Sequence, residues 1–184
     1  MQFSVTQLQA LKADIALDGT LNPLFQGKTE DGAAVIAAAY NALATPDYFV
    51  WQTRVPIDAV LDAVTWANFT PQDAPDGTLT WQCRSLACQG KQFNLQTILL
   101  GKAFIDATKS NVRAGLQDCT TGLPSGAAGA TKSGGWVAIQ LILSRKASRA
   151  EKLFAAGAGT TAAPSLMGVE GVLTVQDVVA AWNS

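Results

Sequence analysis

The sequence predicts a mainly α protein: a helical, bundle-like domain with short β elements and a glycine-rich loop. Three observations lead there. Apolar residues recur at three- and four-residue spacing in several segments, capping residues precede those segments, and the β-like runs are short and isolated. With 184 residues the chain can bury a real core, so 1–184 is expected to fold as a single domain.

The first helix is expected over Thr6 to Leu17, with Thr6 as cap and Gln9 as its reciprocal partner. Val5, Leu8, Leu11 and Ile15 then share a face, and Gly19, Asn22 and Pro23 end it. A second helix should run from Asp31, its expected cap, to Ala42, its alanines allowing close approach of a neighbour. Tyr48 to Val55 is aromatic and β-branched and reads as extended. Pro56 can open the next helix, with Ile57, Val60, Leu61 and Val64 at helical spacing.

Residues 71–92 read as an insertion in which the alternation Leu79-Thr80-Trp81-Gln82-Cys83 suggests a β-hairpin. Helices are expected from Asn94 to Thr108 and from Val112 to Cys119. Residues 120–135 hold Gly122, Gly126, Gly129, Gly134 and Gly135 and read as a flexible loop. They lack the spacing of a phosphate-binding loop. The longest helix is expected from Trp136 to Ala156, where Trp136, Ile139, Leu143, Ala147, Ala150 and Phe154 form one apolar seam. On it, Arg145, Arg149 and Lys152 make a basic line that could be a solvated face, a surface for an acidic partner, or a phosphate contact. Val169 to Leu173 reads as extended, and Thr174 with Asp177 caps a last helix.

Composition restricts function more than it names one. The chain has no histidine, which removes Ser-His-Asp and Cys-His nucleophiles, histidine bases and most zinc and iron sites. Carboxylate pairs such as Glu30 and Asp31, or Asp58 and Asp62, open a helix or occupy a solvent face, so no enzymatic activity, cofactor or metal is expected. Only 15% of residues are charged, against roughly 25% in an ordinary domain. A surface so poor in charge is expected to be covered in part by other subunits. A net charge of −1 argues against nucleic acid as the main partner.

No apolar run approaches the roughly 20 residues that span a bilayer, and the start lacks a secretory leader, so a soluble protein made in the cytoplasm is expected. Of the three cysteines, Cys83 and Cys88 would flank the expected hairpin turn and could bridge, or could remain thiols in a reduced compartment. The candidate interface residues are Trp51, Arg54, Trp66, Arg113, Arg145, Arg149, Lys152 and Trp182, because exposed tryptophan and arginine anchor interfaces.

Several blocks carry a resemblance. Leu8-Gln9-Ala10-Leu11-Lys12-Ala13-Asp14-Ile15, Ala37-Ala38-Ala39-Tyr40-Asn41 and Val50-Trp51 are followed by Asn111-Val112-Arg113-Ala114-Gly115 and Ser148-Arg149-Ala150-Glu151-Lys152-Leu153-Phe154-Ala155. Gly157-Ala158-Gly159 and the stretch Val169 to Asp177 complete them. Together they resemble a family of small tailed-bacteriophage virion proteins over about half the chain. The tract from Pro71 to Gln92 and the glycine-rich loop depart from that pattern. The resemblance implies a virion structural subunit of the head–tail region, most similar to the connector (adaptor, neck) proteins. Such a protein forms a homo-oligomeric ring, binds portal and tail-completion or terminator proteins, contacts DNA in a channel without base specificity, and binds no membrane. A tail terminator or capsid-decoration protein, a helical DNA-binding module, and a cysteine redox enzyme, which would need Cys83 or Cys88 exposed, are the alternatives.

Overall fold

The structure, a computed structural model, describes residues 3–70, 81–125 and 130–184, with side chains from Arg84 onward in the helix that begins at Trp81. The fold is mainly α with short antiparallel strand pairs. The chain divides into two compact units, residues 1–50 with 146–184 (unit 1) and the contiguous residues 51–145 (unit 2).

In chain order, α1 spans Val5–Leu17, α2 Leu21–Gly27 and α3 Glu30–Asn41. Strands β1 (Phe49–Trp51) and β2 (Val55–Pro56) lead to α4 (Ile57–Ala63) and a 3-10 turn at Trp66–Phe69. Next come α5 (Trp81–Leu99), β3 (Phe104–Ile105), α6 (Ser110–Thr120), β4 (Leu123–Pro124) and β5 (Thr131–Lys132). The chain closes with α7 (Trp136–Leu143), β6 (Ser144–Lys146), α8 (Arg149–Phe154) and α9 (Val175–Trp182). No helix among the described residues is long and apolar enough to cross a membrane.

Caps fix the helices of unit 1. Ser4, not Thr6, caps α1, with the Gln7 side chain returning to the Ser4 N–H at 2.9 Å. Thr29, not Asp31, caps α3 by accepting from the Gly32 N–H at 3.1 Å. Thr174 and Asp177 form the capping box of α9. Helix α1 stops at Leu17, ahead of Gly19, but Asn22 and Pro23 lie inside α2, at whose start Asp18 accepts from the N–H groups of Thr20 and Leu21 at 3.0 and 3.1 Å. Around these helices the unit buries Leu11, Ile15, Ile36, Tyr40, Leu173 and Val178. At Gly159, with φ +66°, a Cβ would lie 2.0 Å from the Tyr48 ring, so only glycine fits.

Unit 2 has its own core, built from Val55, Val60, Leu95, Leu116, Ile139 and Leu143. Strand β2 pairs antiparallel with β3, Val55 opposite Ile105, and β4 with β5, Leu123 opposite Lys132. The second pair lies inside the glycine-rich tract, of which residues 126–129 fall outside the described residues.

Four expectations are corrected here. From Trp81 onward the expected hairpin is the first half of α5, while residues 71–80 fall outside the described residues. The reason is periodic: Arg84, Cys88, Leu95 and Leu99 are buried at spacings of four, seven and four, which is one face of a helix packed on α6. That helix stops at Leu99, short of the expected Thr108, and Phe104 and Ile105 are strand. The Cys83–Cys88 bridge goes with the hairpin. Cys88 is a free, buried thiol, and five residues along a helix separate Cα atoms by about 8–9 Å, beyond disulfide reach.

Finally, the single helix from Trp136 to Ala156 is broken at Ser144. Gln52 takes the last carbonyls of α7, its side chain donating to Ile142 O at 2.7 Å and Ser144 O at 3.2 Å, and its N–H to Leu143 O at 2.9 Å. A helix end whose orphan carbonyls are already satisfied has no need to continue. The seam is therefore split, with Ile139 and Leu143 in the core of unit 2 and Ala150 in that of unit 1.

Candidate functional site

Unit 1 gathers its polar side chains around Arg149. The Ser148–Glu151 capping box starts α8 and sets Arg149 as its first helical residue. From there the guanidinium donates to Asp18 Oδ2 at 2.7 Å and to Asp14 Oδ2 at 2.9 Å. Its Cζ also stands 4.4 Å from the centre of the Tyr40 ring. The Tyr40 hydroxyl donates to the same Asp14 oxygen, so α1, α3 and α8 meet at one group.

The electrostatics of this cluster follow from its geometry. The Arg149 hydrogen bond, with the N–H groups of Leu21 and Thr20, holds the Asp18 carboxyl below the usual carboxylate value. Burial and then the Asp14 hydrogen bond push the Tyr40 phenol upward. Burial works against the charge on Arg149, but its bonds to Asp18 and Asp14 outweigh this and raise its pKa. Such a cluster holds helices together.

Beside it opens a cleft of about 650 Å³ lined by Asp14, Leu43, Ala44, Lys152 and Leu153 among others. The Lys152 ammonium lies 5.7 Å from the Tyr48 ring centre, and among the described residues it makes no ion pair. Tyr48 is fixed by a bond to Gly157 O at 2.9 Å and by contact with Ser165 Oγ at 2.7 Å.

Unit 2 presents a different chemistry. Ile57, Leu61, Trp66, Phe93, Leu99 and Leu100 line an apolar groove of about 410 Å³. Trp66 is 41% exposed, its indole N–H donating to Leu61 O at 3.2 Å and its ring 5.7 Å from Phe69. Along α5 and just past its end, Leu86, Phe93 and Leu100 stand out to solvent.

The expected interface residues thus fall into separate places. Trp51 is buried in the core of unit 2, where Arg113 stacks on it at 4.5 Å and donates to Ala107 O at 2.6 Å. Arg54 lies over the Phe104 ring at 3.9 Å. Trp182 is half-buried in unit 1 and meets Phe25 edge-on at 6.4 Å. The basic line is corrected: Arg145 sits in β6 and not on a helix with Arg149 and Lys152, and two carboxylates balance Arg149. Of the tryptophans proposed as anchors, Trp66 is the exposed one.

Sequence reasoning passed over Asp14, Asp18 and Tyr40 because 131 and 135 positions separate the aspartates from Arg149. It also passed over Leu86, Phe93 and Leu100, whose seven-residue spacing was a signal in plain view. Among the described residues no group of histidine, cysteine, aspartate or glutamate is arranged to hold a metal ion. No family model, curated protein or solved structure matches the chain.

Proposed function

We propose that this chain is a non-enzymatic structural subunit of a tailed-bacteriophage particle, a head–tail connector that forms a homo-oligomeric ring and binds the portal above and tail-completion proteins below. The observation that carries this reading joins sequence and fold. The blocks resembling the phage family lie far apart in the chain, yet most of them, at Leu8–Ile15, Ala37–Asn41, Ser148–Ala155 and Val169–Asp177, fall on α1, α3, α8 and the entry to α9 in unit 1, while Asn111–Gly115 falls on α6 in unit 2. Those in unit 1 are tied by the Arg149 cluster and by Asn41, whose side chain both donates to and accepts from the Leu173 backbone at 2.8 and 2.7 Å. A shared packing unit with no catalytic group is what a family of assembly proteins would hold in common. The stretches that depart from the family, residues 71–92 and 120–135, both belong to unit 2. The sparse charge supports the same reading, since subunit interfaces are poor in charge.

The alternative of a DNA-binding module is less well supported, because Arg149 spends its charge on Asp14 and Asp18. The test is the mass of the purified full chain, alone and mixed with the portal protein of the same particle. A closed ring that co-migrates with the portal is expected. A chain without affinity for the portal would overturn the connector role.

A further inference from the structure

We infer that the cleft of unit 1 beside Arg149 is a docking site for an extended peptide segment of another protein, whose backbone pairs with the strand edge at Leu43 and whose acidic side chain is held by Lys152. The inference goes beyond the connector reading and does not rest on it.

The edge follows from local pairing. Leu43 is bridged antiparallel to Ser148, and the bonds flanking the bridge run from Ala44 N–H to Ala147 O at 3.0 Å and from Arg149 N–H to Ala42 O at 2.9 Å. Bonds placed in that way turn the N–H and C=O of Leu43 itself to the opposite side of its strand. Among the described residues neither group has a hydrogen-bond partner. An edge that offers a donor and an acceptor on one residue is matched by an extended chain. A helix has already used its backbone groups on itself.

Pairing at that edge also aims the side chains. In the antiparallel sense, the guest residue bonded to Leu43 stands directly opposite it and shares its face, as do the guest residues two positions away. The Leu43 side chain is 62% exposed and lines the cleft, whose other lining residues, Asp14, Ala39, Arg149, Lys152 and Leu153 among them, all belong to unit 1. Alternate side chains of the guest therefore stand over the cleft. Its volume of about 650 Å³ lies in the range of sites that enclose a ligand.

Charge selects the guest. Arg149 gives its guanidinium to Asp14 and Asp18. Lys152 makes no ion pair among the described residues, yet its ammonium is held in place. It stands 5.7 Å from the centre of the Tyr48 ring, which is anchored through its hydroxyl to Gly157 O and Ser165 Oγ. A positioned cation without a counter-ion is matched by a carboxylate. Asp14 on the same cleft is already engaged by Arg149 and by the Tyr40 hydroxyl. The next side chain on the same face of the guest meets Leu43 and Leu153 and is apolar. The recognised pattern is thus an acidic and an apolar residue two positions apart in an extended segment. Nucleic acid fits less well, because a run of phosphates would meet one uncommitted cation and then Asp14.

The test titrates the isotope-labelled full chain with the capped heptapeptide Thr-Val-Thr-Glu-Thr-Val-Thr, whose valines and glutamate share one face, and with the same peptide carrying glutamine at its centre. The glutamate peptide should shift the amide signals of Leu43 and Lys152 in the millimolar range and bind about five- to tenfold tighter than the glutamine peptide. Lys152→Gln should remove that preference, and Lys152→Glu should reverse it toward a peptide with central lysine, both with the parent's CD spectrum. Lys102→Gln, an exposed lysine of unit 2, should change nothing. Absence of shifts, shifts confined to other residues, or equal affinity for the glutamate and glutamine peptides would each overturn the inference. So would an oligothymidylate that moves the same signals at lower concentration, which would assign the cleft to nucleic acid. A chain that takes the peptide and ignores the portal would keep this site and defeat the connector role. A chain that binds the portal and ignores the peptide would do the reverse.

Discussion

Replacing Tyr40 with phenylalanine isolates one bond of the Arg149 cluster. Tyr40 is fully buried, and phenylalanine keeps its ring in the core and under the guanidinium that stands 4.4 Å away. What is lost is the hydroxyl and its bond to Asp14 Oδ2. A hydrogen bond to a charged acceptor contributes about 1.5–3 kcal/mol. Asp14 keeps its 2.9 Å bond from Arg149, so its carboxylate is not orphaned and the loss should fall toward the lower end, about 1.5–2 kcal/mol. Tyr40→Ala, which also empties the core site, should cost about 3–5 kcal/mol. Urea unfolding followed by far-ultraviolet CD measures both, with amide exchange in α1 and α3 assigning the change to unit 1. In a double-mutant cycle, Tyr40→Phe and Asp14→Asn should couple by at least about 1 kcal/mol. A Tyr40→Phe loss below about 0.5 kcal/mol, with no coupling, would show that the hydroxyl is as well satisfied by water and that the cluster does not hold the helices.

Asp18 has its pKa lowered in the folded state, so its contribution is present above the unfolded value near 3.8 and is lost as pH falls through the lower folded value. Acid titrations should therefore show the parent protein losing stability in that window and Asp18→Asn losing less. Gly90→Ala fills open space in the interior of α5 and should stabilise the single copy by about 0.5–1 kcal/mol, read as a higher urea midpoint at low protein concentration; a lower midpoint would mean that α5 is not helical there. Burial pushes the thiols of Cys88 and Cys119 up, so both should resist an aromatic disulfide reagent in the native protein and react in urea, and a dithiol reductant should leave the melting curve unmoved.

How much of this was legible depended on whether the signal was local. The helices α3, α6 and α9 were readable because a cap or an apolar period lies within their own few residues, as with Thr174 and Asp177. Helix α5 was hidden because its exposed face mixes Gln89, Gly90 and Gln96 with Leu86 and Phe93, which blurs the period, while the alternation at Trp81-Gln82-Cys83 imitates a strand. The break at Ser144 could not be read at all. The residue that ends α7 is Gln52, about ninety positions earlier. The Arg149 cluster is the same kind of case: three residue types that are unremarkable in sequence acquire a role when α1, α3 and α8 come together.

The route of the chain has a consequence for its birth on the ribosome. Unit 1 opens with residues 1–50 and closes only with 146–184, so the intervening stretch is made before the first helices meet their partners. At bacterial and eukaryotic elongation speeds that is a wait of roughly 5–20 s. During it Leu11, Ile15 and Ile36 have neither α8 nor α9 to cover them, and Asp14 and Asp18 lack Arg149. Unit 2, continuous in sequence, can form in that interval. The newborn chain is therefore expected to depend most on protection from aggregation at its amino end, and a stop codon anywhere before Arg149 would leave that end permanently without its ion partner.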